Sequence, residues 1–329
     1  MSEERARLAS RRAALEARAR VVRATRAYFE GAGFLEVETP ARVRAPGQEI
    51  HLDAVAAGKG GAGEPRWLAT SPEYHMKRLV GAGFERIYQL GKAWRAGEVG
   101  AHHQPEFLIA EWYRAGAPLA AIADDCEALV HAAARAGGAV NRELDLSSSF
   151  ERTTVREVVR RHAGLELAGD EPLDALAAKA RAAGIDVAGR TTWDDVFFQL
   201  WLDRVEPRLG RGRPTFVFDW PAPLGALARR KADDPRLVER FELYANGLEL
   251  ANAFGELTDA DEQRARFAAE SAERARLGKQ VYDVDERLLA ALPRMPPTSG
   301  VALGVDRLVM LVLGARDIRD VVAFADDEV

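Results

Sequence analysis

Three glutamates recur at seven-residue intervals in the last third of the chain: Glu242, Glu249 and Glu256. Glu249 stands among Leu248, Leu250 and Ala251, a poor setting for an unpaired acid, because a buried carboxylate has to be paired or hydrogen-bonded. Asn246-Gly247 separates it from Glu242, and this dipeptide between two alternating runs signals a hairpin. The hairpin puts the two carboxylates on opposite arms, where they can face each other. Facing acids repel unless a cation lies between them. Oxygen ligands alone, and few of them, suit Mg²⁺ shared with a phosphate-bearing substrate. A plainer solution pairs each acid with one of the many arginines. Pattern alone leaves both open.

A second chemical stretch runs from Trp94 to Gly116, "WRAGEVGAHHQPEFLIAEWYRAG". Arg95 closes one alternating run just before a loop. Arg307 follows the Gly-rich "GVALGVD" at the start of a helix. An arginine at a helix N-terminus suits an anion, although surface ion pairing would use the same residues. His102 and His103 are adjacent, so their side chains tend to point apart. A hydrogen-bonding or phosphate-facing role fits them better than a shared metal. In the run from Glu106 to Arg114, Phe107, Ile109, Glu111 and Tyr113 share one face, and Glu106, Leu108, Ala110 and Trp112 the other. Both faces carry apolar residues, so Glu111 is expected to be at least partly buried and to need a partner.

The elements that must position these groups are legible in outline. Residues 3 to 30 read as one amphipathic helix with Leu8, Leu15, Ala19, Val22 and Phe29 near one face, stopped by Gly31 and Gly33. "FLEVETP" (Phe34 to Pro40) reads as a strand ended by proline. Val55 to Pro65 is a Gly-rich hairpin or surface loop, without the order of a phosphate-binding P-loop. In "RWLATSPEYHMKRLVGAG" a strand leads to a helix with Ser71 as N-cap, Pro72 at its first position and Glu73 in its first turn. The alternating runs 85–95 and 106–114 are expected to pair antiparallel across the loop 96–105. Residues 117 to 210 are Ala-rich and mostly helical in pattern. Pro214 to Pro221 and the two arms around Asn246-Gly247 are strands, and "TSGVALGVDRLVMLVLGA" is a strand running into an apolar helix. Strands in pairs with helices around them indicate α+β and an antiparallel sheet, not βαβ repetition.

Composition narrows the function. The 329 residues are 47% hydrophobic and 29% charged with a net charge of −5. That is globular, and a poor match to unspecific nucleic-acid binding through a broad basic surface. Cys126 is the single cysteine, which excludes an intramolecular disulfide and a Cys-based zinc site. No apolar run approaches the ~18 residues of a membrane span. The charged N-terminal segment has no signal-peptide core, so a cytoplasmic protein is expected.

Together these segments resemble the catalytic domain of the class II aminoacyl-tRNA synthetases, on the lysyl branch. "FLEVETP" resembles that family's first motif, with Pro40 in its dimer-forming strand. "WRAGEVGAHHQPEFLIAEWYR" resembles the second and "GVALGVDRL" the third, and "GLELANAFGEL" is similar to the lysyl-type segment preceding it. The resemblance implies an antiparallel sheet flanked by helices, in a homodimer. Fewer residues precede Phe34 than an anticodon-binding OB domain needs. The chain therefore reads as a single catalytic domain over 1–329 with a helical insertion roughly over 117–210. "TSPEYHMKRLV" and "GVALGVDRLVM" resemble the stand-alone paralogues that ligate (R)-β-lysine to elongation factor P. Ser71 stands where the tRNA enzymes more often have alanine, and Ala302 where they have glycine.

The resemblance implies ATP and Mg²⁺, (R)-β-lysine or lysine as substrate, and elongation factor P as acceptor in preference to tRNA. It makes Arg95, Arg307 and Glu249 the catalytic set. ATP falls to Arg95, Glu98, His103, Gln104, Phe107, Glu249, Leu250, Gly304 and Arg307, with Phe107 stacking on adenine. Mg²⁺ falls to Glu242 and Glu249. The amino acid falls to Ser71, Glu73, Glu111, Tyr113, Asn252, Glu256 and Ala302. The other readings are a truncated synthetase charging tRNA or another amine with lysine, and a non-catalytic amino-acid- or nucleotide-binding module. The chain departs from the lysyl pattern at Ala96-Gly97, at Gln104 in place of asparagine, and at Ala253 in place of glycine, which is expected to narrow the amino-acid pocket by a methyl group.

Overall fold

The computed structural model describes residues 3–138, 141 and 143–329. In chain order its strands are β1 (Leu35–Glu36), β2 (Arg42–Val43), β3 (Ala56–Lys59), β4 (Pro65–Leu68), β5 (Arg86–Trp94), β6 (Glu106–Ala115), β7 (Glu151–Thr154), β8 (Thr215–Pro221), β9 (Leu237–Ala245), β10 (Leu248–Gly255) and β11 (Thr298–Gly304). Among the described residues, eight of them form one sheet in the order β1-β5-β6-β11-β10-β9-β8-β7, and β2, β4 and β3 form a smaller one. The pairs from β5 through to β8 are antiparallel, and the two edge pairs β1–β5 and β7–β8 are parallel. The expected α+β architecture is thus present. The hairpin between β9 and β10 turns at Asn246 and Gly247, both with positive φ (52° and 75°), as a tight two-residue turn requires.

Register explains the division of labour between the faces. Leu90, Ala110, Leu303, Ala251, Leu243 and Phe216 are successive cross-strand partners, and all six are buried in one apolar cluster. One residue along, the rank reads Gln89, Glu111, Ala302, Asn252, Glu242 and Val217. Side-chain parity turns this rank to the opposite face. The first face is covered by the helices Arg12–Gly31, Leu119–Gly137 and Val305–Leu313 through Val21, Phe29, Ile122, Leu129, Leu308 and Val309. At about 1.5–3 kcal/mol for each large apolar side chain buried, this face carries much of the stability and leaves the other free to hold charge.

Two further apolar clusters form walls on the polar face. Helices Val155–Ala163, Leu173–Ala182 and Trp193–Leu200 pack on Val217, Trp220, Val238 and Tyr244 at one end of the sheet. Helices Glu73–Val80, Ala260–Arg276 and Glu286–Ala291 pack around Ile87 and Tyr113 at the other.

Two expectations are corrected. The N-terminal helix is two helices, Glu3–Ser10 and Arg12–Gly31, separated at Arg11, whose guanidinium makes two bonds to Glu328. Its buried stripe is Ala17, Val21, Thr25 and Phe29, with Ala19 exposed. Phe29 sets this phase by stacking on Tyr88 at 4.3 Å, and Thr25 is tolerated because its hydroxyl donates to the Val21 carbonyl. "FLEVETP" contributes only the two-residue β1, parallel to β5; beyond it the chain keeps contact through Val37 N–H to the Tyr88 carbonyl and Thr39 N–H to the Gln89 side chain. The segment 117–210 is mostly helical, with the short β7 joining the main sheet beside β8. Among the described residues, no helix is long and apolar enough to cross a membrane.

Candidate active site

A cavity of about 450 Å³ opens on the polar face between the two walls. Of the residues singled out in the sequence, Ser71, Glu73, Arg95, Glu98, His103, Gln104, Phe107, Glu242, Glu249, Leu250, Asn252, Ala302, Gly304 and Arg307 line it. Groups from β5–β6, β9–β10, β11 and two helices thus converge on one space. The cross-strand rank is the reason, because it sets Glu111, Ala302, Asn252 and Glu242 on neighbouring strands about 5 Å apart.

At one end lie the cationic groups. The Arg95 guanidinium sits over the Phe107 ring, 5.1 Å from its centroid, and 3.8 Å from Glu98. Arg307, in the first turn of the helix after Gly304, donates to the Glu249 carbonyl at 2.7 Å and the His102 carbonyl at 3.2 Å, and also contacts His103 Nε2. Burial and then the Arg307 charge hold the His103 pKa down at about 4, so near neutral pH the ring is uncharged and accepts from the guanidinium. The intervening loop is tied at several points. Ala96 N–H donates to the Asp53 carbonyl, Ile318 N–H to the Ala101 carbonyl, and Asp326 N–H to Gln104 Oε1 at 2.8 Å. The carbonyl oxygen of Gln104 therefore already accepts one bond.

The hairpin acids share the middle of the cavity. They are offset: Glu242 pairs across the strands with Asn252, and Glu249 with Tyr244, because a bulge shifts the register between Glu249 and Ala251. Arg240 donates to Glu242 Oε1 at 2.5 Å, and the Tyr244 hydroxyl bonds Oε2. Burial, followed by the Glu249 charge, pushes the Glu242 carboxyl upward. The sequence alternatives thus coexist at Glu242, which has its arginine and also feels a second acid. Asn252 Oδ1 accepts from the same Arg240 at 3.2 Å. Among the described residues, no group of three or more His, Cys, Asp or Glu is arranged to hold a metal ion. The two acids fit an ion that takes most of its ligands from a substrate and water, and not a protein-enclosed one.

Acids dominate the other end. Glu73 lines the cavity, and Glu111, Tyr113 and Glu256 form the layer beneath it instead of its wall, so their expected direct contact with a ligand is not drawn by the cavity itself. Glu111 is 2% exposed; the Tyr113 hydroxyl donates to its Oε1 at 2.7 Å, and its Oε2 is buried without a hydrogen-bond partner. Burial and then the Glu73 charge raise its pKa. Ser71 accepts from the Glu73 N–H at 3.0 Å, so it caps the helix from one residue further out than expected, with Pro72 between. Gly300 lets this layer close, because a Cβ there would lie 2.3 Å from Tyr113 Cε1 and 2.7 Å from Glu256 Oε1.

Ala253 does not narrow the pocket. It is fully buried in the apolar cluster on the opposite face, paired with Val301 and Phe241, as strand parity with Asn252 demands. Four contributors escaped the sequence reading: Lys77, Arg240, Tyr244 and Glu49. Glu49 lines the cavity beside Glu73 and is pushed upward by burial and then by that neighbour. Lys77, between Glu73 and Glu256, had one usable signal, the four-residue Glu73–Lys77 spacing on a short helix.

The family model of the tRNA synthetases class II (D, K and N) matches residues 5–328. The chain belongs to this family. Among similar proteins, the elongation factor P–(R)-β-lysine ligase of Yersinia enterocolitica is 41% identical over 318 residues, 93% of each chain. That of Pectobacterium atrosepticum is 42% identical over 319 residues, 94% of this chain and 93% of the relative. That of Vibrio cholerae is 41% identical over 316 residues, 94% of both. Within the class II family, then, the chain matches these ligases along nearly their whole length, and it is an ATP-dependent ligase of class II synthetase type.

Proposed function

We propose that this protein activates (R)-β-lysine with ATP as an aminoacyl-adenylate and transfers it to a lysine side chain of elongation factor P. The observation that supports this most directly is the polarity of one cavity. Arginines and an aromatic ring stand at one end, acids at the other, and a small-residue strand lies between. A nucleotide triphosphate and a diamino acid are the two molecules whose charges complement it, and the relatives carry the name of that reaction.

In this reading Phe107 stacks on adenine, with Glu98, His103 and Gln104 beside it, and Leu250 and Gly304 flank the nucleotide. Arg95 and Arg307 neutralise the phosphates, and the carbonyl of Glu249 keeps the Arg307 guanidinium in place. Glu242 and Glu249 would hold Mg²⁺, which when bound supplies further charge neutralisation at the phosphates. The substrate carboxylate attacks the α-phosphorus and pyrophosphate leaves, a step that needs positioning and charge neutralisation and no general base. Ser71 and Glu73 receive the amino group nearer the carboxylate, with Asn252 and Ala302 along the stem. Glu111, Tyr113 and Glu256 form the anionic floor for the far ammonium. The neutral amine of the acceptor lysine then attacks the mixed anhydride carbonyl, and AMP leaves. A cytoplasmic homodimer acting on elongation factor P in preference to tRNA completes the proposal.

The test incubates the pure protein with ATP, (R)-β-lysine and unmodified elongation factor P and follows intact mass. A β-lysyl adduct on the factor is the expected outcome. No adduct where adenylate forms would remove the transfer step, and lysine charging of bulk tRNA would replace the acceptor.

A further inference from the structure

We propose that Lys77 is a positioning residue for the amino-acid half of the site: a resident ammonium that fixes Glu73 and Glu256 where they can receive the ammonium groups of the substrate. This rests on the reading that the cavity takes a diamino acid.

The geometry is specific. Lys77 Nζ lies 2.6 Å from Glu73 Oε1 and 2.6 Å from Glu256 Oε2, and the side chain is 1% exposed. Glu73 faces the cavity, whereas Glu256 lies beneath it. One buried cation therefore ties a wall acid to a floor acid across two elements, a helix and the segment leaving β10. Stability alone is a weak explanation for such a group, because replacing buried ion pairs with apolar side chains is often neutral or stabilising.

The crowding of acids gives the lysine a purpose. Glu49 and Glu73 on the wall and Glu111 and Glu256 beneath it put four carboxyls at this end of the cavity, and Lys77 is the ammonium that ties two of them in place. Without Lys77 these two lose their shared cation, and a proton would fill the gap. Lys77 does not itself give up a proton. Burial works against its charged form, but the Glu256 and Glu73 carboxylates outweigh burial, so it remains ammonium and cannot be the base of the transfer step. The other groups around this cluster include Glu49 on the segment before β3, Tyr74 on the same helix, Glu111 and Tyr113 on β6, Glu270 on the helix Ala260–Arg276, Arg95 and Arg229. Of the two arginines, Arg229 is engaged with Glu239 at 2.5 Å and Arg95 sits over the Phe107 ring.

The test uses amino-acid-dependent ATP–pyrophosphate exchange from pH 6 to 9 on the wild type and on Lys77→Gln, which keeps length and N–H donors but loses the charge. The expected result is a KM for the diamino acid raised about 10- to 100-fold, with a KM for ATP within about twofold. The pH profile of kcat/KM for the amino acid should shift upward, because a proton must now be displaced before the ammonium binds. Lys77→Ala should recover a lower amino-acid KM when ethylammonium is added. Should neither variant fold, the exchange-protected side-chain ¹⁵N resonance of Lys77 in the wild type is the readout, moving on addition of the diamino acid and not of ATP alone. Wild-type KM and pH profile in Lys77→Gln, or a resonance indifferent to the amino acid, would overturn the role of Lys77. So would a loss of kcat and melting temperature with both KM values unchanged, which is what a purely structural lysine predicts. A wild type with no diamino-acid-dependent exchange would instead sink the substrate reading on which this role rests.

Discussion

Gly300→Ala tests the layered floor of the amino-acid site with a single methyl group. The new Cβ would lie 2.3 and 2.5 Å from Tyr113 Cε1 and Cδ1, and 2.7 Å from Glu256 Oε1. Gly300 has no left-handed φ, so the backbone accepts alanine and the whole effect is packing. The Tyr113 ring is buried and must tilt, and its hydroxyl is the 2.7 Å donor to Glu111. Overpacking of this kind costs about 1–3 kcal/mol of stability. Loss of the hydroxyl–carboxylate bond costs about 1–3 kcal/mol more, since it takes the hydrogen bond from a buried carboxyl. If that second loss falls on the substrate complex, the amino-acid KM rises roughly five- to 150-fold. The ATP KM should stay within about twofold, because Arg95, Phe107 and Arg307 lie at the other end. Urea denaturation and pyrophosphate exchange with each substrate varied in turn measure both quantities. A variant that is destabilised but binds the amino acid like the wild type would refute the coupling between the Tyr113 layer and the substrate.

Other outcomes follow from the same geometry. Glu249→Gln should lower pyrophosphate exchange about tenfold or more while the far-UV spectrum is unchanged, and full activity would sink the metal assignment. Neutral His103 should leave no imidazole inflection between pH 6 and 7.5 in the ATP KM, because its pKa lies at about 4; an inflection that disappears in His103→Asn would contradict this. Glu270 is raised to about 8 by burial and then by Glu49. A carboxyl raised in the folded state contributes stability below its unfolded pKa, near 4.5, and loses it as pH climbs to about 8. Glu270→Gln should therefore flatten the decline in denaturant midpoint between pH 5 and 8, and an unchanged slope would assign that decline elsewhere.

Local signals carried much of this fold. Asn246-Gly247 announced its hairpin, and the alternating runs around 96–105 announced β5 and β6, because turn chemistry and strand period are readable over a few residues. Arg95 beside Phe107 and Arg307 at its helix start were reachable in the same way. The rank from Gln89 to Val217 was not, since it depends on how five strand pairs align together, β6–β11 among them far apart in sequence, with bulges at Glu249/Ala251 and Phe218/Trp220. Ala253 needs only parity: with Asn252 on the cavity side, its neighbour turns to the apolar face. Lys77 stayed hidden for another reason. A lysine on a short helix is solvated by default, and only tertiary packing buries this one.

The transverse rank also decides which changes the site can survive. Its members sit on separate strands, and each lies on the cavity side of the sheet by parity alone. A substitution at one position alters one side chain. A one-residue insertion or deletion within β6, β9, β10 or β11 would rotate every later side chain of that strand to the other face, sending a carboxylate into the apolar layer and a leucine into the cavity. The site is therefore permissive to point changes in chemistry and intolerant of changes in strand length, so diversity in substrate choice within this architecture should arise by exchange at fixed positions, with length variation confined to the loops.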